Sequence, residues 1–119
     1  MIKNLYFNSR DELLRVNIDN VVFFEGDGGY TDIVSANDLR SCVGMNLRTM
    51  EDTLAKQLGE NASVFLRIGK RYIINRKYIY QVKVFKQQLI LSDQSTFTFK
   101  LTASREALRK LKMLLTSSK

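Results

Sequence analysis

One segment leaves this chain little freedom. Val21-Val22-Phe23-Phe24 is a short apolar run, Asp27-Gly28-Gly29 is a turn whose residues tolerate positive φ, and Tyr30 to Val34 returns as a second strand. The same punctuation recurs on both sides of it. Leu5-Tyr6-Phe7 and Leu13-Leu14-Arg15-Val16 flank the polar Asn8-Ser9-Arg10-Asp11, a first hairpin with its loop, and Asn37-Asp38 turns the chain into Leu39 to Val43. Further on, Val64 to Ile68 and Tyr72 to Ile74 read as strands around Gly69-Lys70-Arg71. From Tyr78 to Phe85 the chain alternates, with Tyr80, Val82 and Val84 on one face and Gln81 and Lys83 on the other, so the Tyr80 ring is expected to point inward. Lys86-Gln87 is a tight turn into Gln88 to Leu91, and Ser92-Asp93-Gln94-Ser95 turns again into Thr96 to Leu101, completing a three-stranded meander.

Two segments break this rhythm. Leu47, Met50, Leu54 and Leu58 recur at helical spacing, with Asn46 as N-cap and Gly59 where a helix commonly ends in the left-handed conformation. The tail carries Leu108, Leu111 and Leu115 on one stripe, a cap at Thr102 or Ser104, and Arg109, Lys110 and Lys112 exposed toward its C-terminal end, where cations complement the helix dipole. With 119 residues, no proline and no linker-like tract, residues 1–119 are expected to form a single mostly β domain.

Charge is the first functional signal. The net charge of +7 favours polyanionic partners, and its distribution sharpens the point. No acidic residue falls between Glu60 and Asp93, an interval that holds Arg67, Lys70, Arg71, Arg76, Lys77, Lys83 and Lys86. A one-signed surface follows.

Several chemistries lose their support. With no histidine and one cysteine, the chain lacks the usual zinc ligands and the bases of the Ser-His-Asp and Cys-His arrangements. Glu25, Asp27 and Asp32 around Gly28-Gly29 do not have EF-hand spacing, and no phosphate-binding Gly-x-x-x-x-Gly-Lys-Ser/Thr is present. Neither an enzymatic activity nor a cofactor or metal is expected. Cys42, between Ser41 and Val43, is expected to be a small buried hydrophobe. No stretch reaches the roughly 18 apolar residues of a membrane span, and the N-terminus has no secretory apolar region, so a cytoplasmic protein without membrane contact is expected.

Two stretches together resemble the bacterial LytTR DNA-binding domain. The first is Ile18-Asp19-Asn20-Val21-Val22-Phe23-Phe24-Glu25 with its short loop and the strand Tyr30-Thr31-Asp32-Ile33-Val34. The second and more specific is Phe65-Leu66-Arg67-Ile68-Gly69-Lys70-Arg71-Tyr72-Ile73-Ile74-Asn75-Arg76-Lys77-Tyr78-Ile79, which looks like that family's phenylalanine, arginine, basic loop, apolar pair and asparagine. Leu47 to Leu58 matches its helix, and the resemblance covers roughly residues 3 to 108. It implies an elongated set of small antiparallel sheets, with one helix between sheets and a C-terminal helix. It also implies a transcription regulator that reads double-stranded DNA by inserting loops into successive major grooves, commonly pairing as a homodimer on repeated half-sites. By motif position, the DNA-binding residues would be Tyr30, Thr31, Arg67, Lys70, Arg71, Asn75 and Arg105. Gly69, Lys70 and Arg71 stand where relatives often have histidine, a basic residue and serine, so the family's base preference is not carried over. Most relatives also carry a receiver domain, whereas this chain starts almost at the first strand, as a stand-alone regulator or a fragment of a longer one.

The residues themselves support part of this. Gly69 lets the following loop protrude, where the Arg71 fork suits guanine edges and Lys70 suits phosphate; together with the positions the resemblance implies, Arg71 and Arg105 are expected to read bases, and Lys70 and Arg67 mainly to meet the backbone. Asn75 before Arg76-Lys77 reads as a turn-former more readily than as a DNA contact. Glu25 is expected to order the adjacent loop, while Tyr30 either stacks on sugar or covers the core. Two other classes stay open: a single-stranded nucleic-acid module stacking bases on Tyr72, Tyr78, Tyr80 and Phe85, and a non-enzymatic adaptor whose basic surface meets an acidic protein or membrane.

Overall fold

Four consecutive apolar residues can all be buried in one strand only if both faces of its sheet are covered. Val21, Val22, Phe23 and Phe24 are all buried, at the start of strand β3 (Val21–Asp27). The computed structural model, which describes residues 4–117, shows how. Strand β3 lies at the centre of a five-stranded antiparallel sheet with β4 (Tyr30–Ser35), β5 (Arg40–Val43), β6 (Phe65–Ile68) and β7 (Tyr72–Asn75), in the order β5-β4-β3-β7-β6. One face is covered by helix α1 (Leu47–Leu58) and the hairpin of β1 (Asn4–Asn8) and β2 (Leu13–Asn17). The other is covered by helix α2 (Arg105–Ser117) and the meander of β8 (Ile79–Lys83), β9 (Gln88–Ser92) and β10 (Thr98–Thr102).

Phe24 faces α1 and meets Phe65 edge-on with ring centroids 5.3 Å apart, while Phe23 faces the meander and meets Tyr72 and Phe99 at 5.9 and 5.4 Å. A bulge between Val21 and Phe23 puts Val22 in the same core as Phe23, so the strand's side chains do not strictly alternate. The molecule measures 44 × 32 × 27 Å, a mostly β, elongated body of small antiparallel sheets, as expected. Among the described residues no helix is long and apolar enough to cross a membrane.

Local signals set most boundaries. Asn46 caps α1, its side chain accepting from the Thr49 amide at 2.9 Å, and Ser104 rather than Thr102 caps α2 through the Ala107 amide at 3.1 Å. Corrections are local too. Gly59 ends α1 with φ +56° but ψ −126°, not the left-handed helical pair, and the chain leaves through a short 3-10 segment, Gly59–Val64. Arg109, Lys110 and Lys112 are exposed, yet they lie mid-helix, and the last turn of α2 has no basic residue. Strand β8 stops at Lys83, because Val84–Gln87 forms a four-residue turn with Gln87 at φ +54°. Strand β10 starts at Thr98, since the Asp93 carboxylate takes the amides of Ser95, Thr96 and Phe97 and holds them in the turn.

Two inward assignments fail for a shared reason, the geometry of strand edges. Tyr80 is 55% exposed because of a bulge, with Ile79 opposite Leu91 but Gln81 opposite Ile90. The extra residue is Tyr80 itself, and Ile79 and Val82 take the inward side in its place. Cys42 is exposed because β5 is an edge strand: Val43 turns into the core, so its neighbour faces the other way. Loss of hydration, then the hydrogen bond and charge of Asp32 beside it, keep the Cys42 thiol above its ordinary pKa and in the unreactive protonated form.

Candidate nucleic-acid interface

Four segments adjoin one another in series and form a continuous edge. Antiparallel pairing of β3 with β7 sets Glu25 opposite Tyr72, which brings the β3–β4 turn beside the loop that precedes β7. There the Gly26 amide donates to the Arg71 carbonyl at 2.8 Å, and the Glu25 carboxylate pairs with Arg71 at 3.0 Å and, more loosely, Arg40 at 4.0 Å. The loop of Gly69, Lys70 and Arg71 then lies beside α2: a Cβ built on Gly69 would lie 3.9 Å from that of Ala107. Gly69 has φ +59°, so its requirement is conformational rather than one of space. Finally the Arg105 guanidinium, at the start of α2, donates to the Phe85 carbonyl at 3.2 Å and joins the helix to the β8–β9 turn.

Within this edge the residues expected to touch DNA separate into two groups. Tyr30, Lys70, Arg71 and Arg105 are exposed. Tyr30 is 60% exposed, so it does not cover the core. Arg71 spans Glu25 and the Tyr72 ring, its guanidinium carbon 5.7 Å from the ring centroid. Tyr72 is buried, and burial first, then the Glu25 charge against the opposing effect of Arg71, raises its pKa; the phenol stays neutral. Lys70 makes no ion pair among the described residues.

The second group points inward. Thr31 is buried, and its hydroxyl donates to the Met45 carbonyl at 2.8 Å, fastening the connection between β5 and α1. Asn75 is 1% exposed; its amide nitrogen donates to the Val21 carbonyl at 2.8 Å, and its oxygen accepts from the Lys77 amide at 3.0 Å. It shapes the 3-10 turn Arg76–Tyr78 and ties β7 to β3, so neither Thr31 nor Asn75 presents its side chain to a ligand. Arg67 is committed as well. Its Nε donates to the Gly69 carbonyl at 3.0 Å, one Nη to the Lys70 carbonyl at 3.3 Å and the other to Glu51 of α1 at 3.0 Å. The motif arginine is a clamp that folds the basic loop, with three of its five N–H groups engaged within the fold.

The rings of the stacking hypothesis are scattered. Tyr72 is buried, and half-buried Tyr78 packs edge-on against Phe97 at 5.0 Å while donating to the Asp19 carbonyl at 2.7 Å. Tyr80 and Phe85 are exposed, one on a strand bulge and one on a turn. Among the described residues no group of three or more His, Cys, Asp or Glu side chains is arranged to hold a metal ion.

The β8–β9 turn joins this edge without a local signal: Lys86 falls in the acid-free interval, but nothing in the neighbouring residues places the turn against the start of α2.

The family profile of the LytTr DNA-binding domain matches residues 11–116. Among solved structures, the chain is similar to the LytTr DNA-binding domain of a protein from Bacillus cereus described as a methyl-accepting/DNA response regulator. The two superpose with a TM-score of 0.64 over 97% of this chain and 98% of that one, at 17% identity, a likeness of fold. A search of curated proteins finds no match.

Proposed function

Because the chain belongs to the LytTr DNA-binding domain family, we propose that it is a bacterial transcription regulator that binds duplex DNA sequence-specifically, its loops reading major grooves. The observation that carries this reading is the row of exposed cations, Lys70 and Arg71 on the loop before β7 and Arg105 at the start of α2, on adjoining segments of the fold. A net charge of +7 supplies attraction to phosphates at longer range.

The roles divide by side-chain chemistry. Arg71 and Arg105 carry the planar forks that match guanine edges, and Lys70 is a point charge for phosphate. The pairing of Arg71 with Glu25 leaves its side chain 66% exposed, so exchanging a solvent-screened partner for a base edge costs little. Tyr30 flanks the row and packs on sugar. Arg67 acts at one remove, by holding the loop that carries Lys70 and Arg71. Two copies bind together on repeated half-sites.

Tyr80 is exposed, and that observation favours the single-strand reading, in which bases stack on a sheet face. A stacking platform needs neighbouring rings, however, and Tyr72 is buried while half-buried Tyr78 is engaged edge-on with Phe97. Duplex DNA is the better partner.

Selection from a random duplex pool, with recovered sites retested as single strands near physiological salt, tests the proposal. Enrichment of one motif as spaced repeats is the expected result. Salt-sensitive binding with no enrichment would replace it with general polyanion binding, and preference for single strands would promote the stacking reading.

A further inference from the structure

Phe85 is 79% exposed, more than any other large hydrophobic side chain among the described residues. An aromatic ring left in water forgoes a large transfer free energy, and a partner that covers it recovers that energy. The backbone beneath it is well held. Gln87 keeps φ +54°, uncommon for a residue with a side chain; its amide donates to the Val84 carbonyl at 3.1 Å, and its carbonyl accepts from the Ala103 amide at 3.2 Å. Arg105 donates to the carbonyl of Phe85 itself. The ring is therefore presented by a braced turn, directly beside one of the arginines assigned to base reading.

Its surroundings specify the occupant. Lys83 and Lys86 flank the ring in sequence, and no acidic residue lies between Glu60 and Asp93. Glu106, next to Arg105, is engaged with Lys110 at 3.3 Å. A ring flanked in sequence by cations, with the carboxylate after Arg105 paired to Lys110, is complementary to a surface of stacked apolar bases edged by phosphates.

We infer that the β8–β9 turn is a further DNA contact, in which Phe85 packs as an apolar wedge against a deformable base step and Lys86 takes an adjoining phosphate. This rests on the duplex-binding reading above and adds to it a contact that distorts DNA rather than reading base edges. Wedging partly unstacks the step and kinks the duplex, and sequence preference at that step comes from its flexibility.

The test uses short duplexes recovered by selection on the wild-type chain, with 2-aminopurine moved through successive positions and donor and acceptor dyes at the two ends. Wild type is expected to raise 2-aminopurine fluorescence at one step and to shorten the end-to-end distance. Phe85→Ala abolishes the fluorescence rise, relaxes the bend and weakens binding on the order of tenfold. Lys86→Ala keeps the rise but flattens the salt dependence by about one phosphate. Because both side chains are exposed, the variants retain the fold, which circular dichroism checks. A wild-type complex in which every 2-aminopurine stays quenched, or a Phe85→Ala variant indistinguishable from wild type, overturns the wedge and leaves duplex binding intact. Wild-type binding to single strands or anionic phosphatidylserine vesicles in preference to duplex overturns both.

Discussion

At the scale of single residues, the division between side chains that face a ligand and side chains that hold others in place makes separable predictions. Arg67 bonds two carbonyls of its own loop and one carboxylate of α1. Arg67→Lys keeps the charge but loses the fork, and for a partly exposed site the expected loss is about 1–2 kcal/mol in urea unfolding. Binding to every DNA sequence should weaken together, because Lys70 and Arg71 lose their common support; a specificity change confined to one base would show instead that Arg67 reads DNA. The exposed pair should separate. Losing Arg71 to alanine is expected to cost on the order of 1–3 kcal/mol on the preferred site and to relax discrimination there, whereas Lys70→Ala weakens all sequences alike and lowers the salt slope by about one. Titrations of both variants on matched and scrambled duplexes read the difference. The roles of Thr31 and Asn75 were only half legible, since an asparagine before two basic residues suits a turn equally well in a loop that binds and in one that does not. Their carbonyl partners, Met45 and Val21, are remote in sequence, and no local pattern reveals them.

Among the elements, the turn between β9 and β10 carries the clearest pH dependence. A hydrogen bond from the Thr96 hydroxyl, the largest effect, together with those from the Phe97, Ser95 and Thr96 amides, holds the Asp93 carboxyl well below its ordinary pKa against the opposing effect of desolvation. A folded-state pKa lowered in this way contributes stability above the unfolded value of 3.8, and the contribution is lost as pH falls toward the lowered folded value. Asp93→Asn should therefore melt below wild type at neutral pH, with the gap narrowing as the solution is taken below the unfolded value. Thermal melts across the acid range measure it, and a gap independent of pH would assign the effect to turn geometry alone. The bulge in β8 has a different lesson. Alternation from Tyr78 to Phe85 was real in the sequence, but one extra residue against β9 reversed the direction of Tyr80 and left the strand otherwise in place.

For the whole molecule, the determining feature is that one strand feeds two cores. Phe23 and Phe24 are adjacent in β3, yet one packs with the meander and α2 and the other with α1 and the first hairpin. Phe23→Ala is expected to cost about 3–5 kcal/mol, since it removes a fully buried ring that meets two others edge-on. We propose that the chain unfolds as a single unit, so urea transitions followed by backbone circular dichroism and by tyrosine fluorescence should coincide in the wild type and in this variant. Two separated transitions would show that each face of the sheet is independently stable. The four-segment edge depends on the same arrangement: β3 and β7 bring two loops together, and only the packing of α2 and the meander on the far face adds Arg105 and Phe85 to them.

The sequence by itself determined the strands, their hairpin order, both helices, the Asn46 cap and the concentration of positive charge, because periodicity, turn chemistry and capping act over a few neighbouring residues. Tertiary structure alone decided which side chains were covered. Cys42 is exposed because its strand is an edge, Tyr80 because of a register shift, and Arg67 is occupied because Glu51, sixteen residues earlier, is brought to it by the packing of α1. Burial and partnership are properties of the surface that another element presents, and that surface exists only once the sheets and helices have assembled.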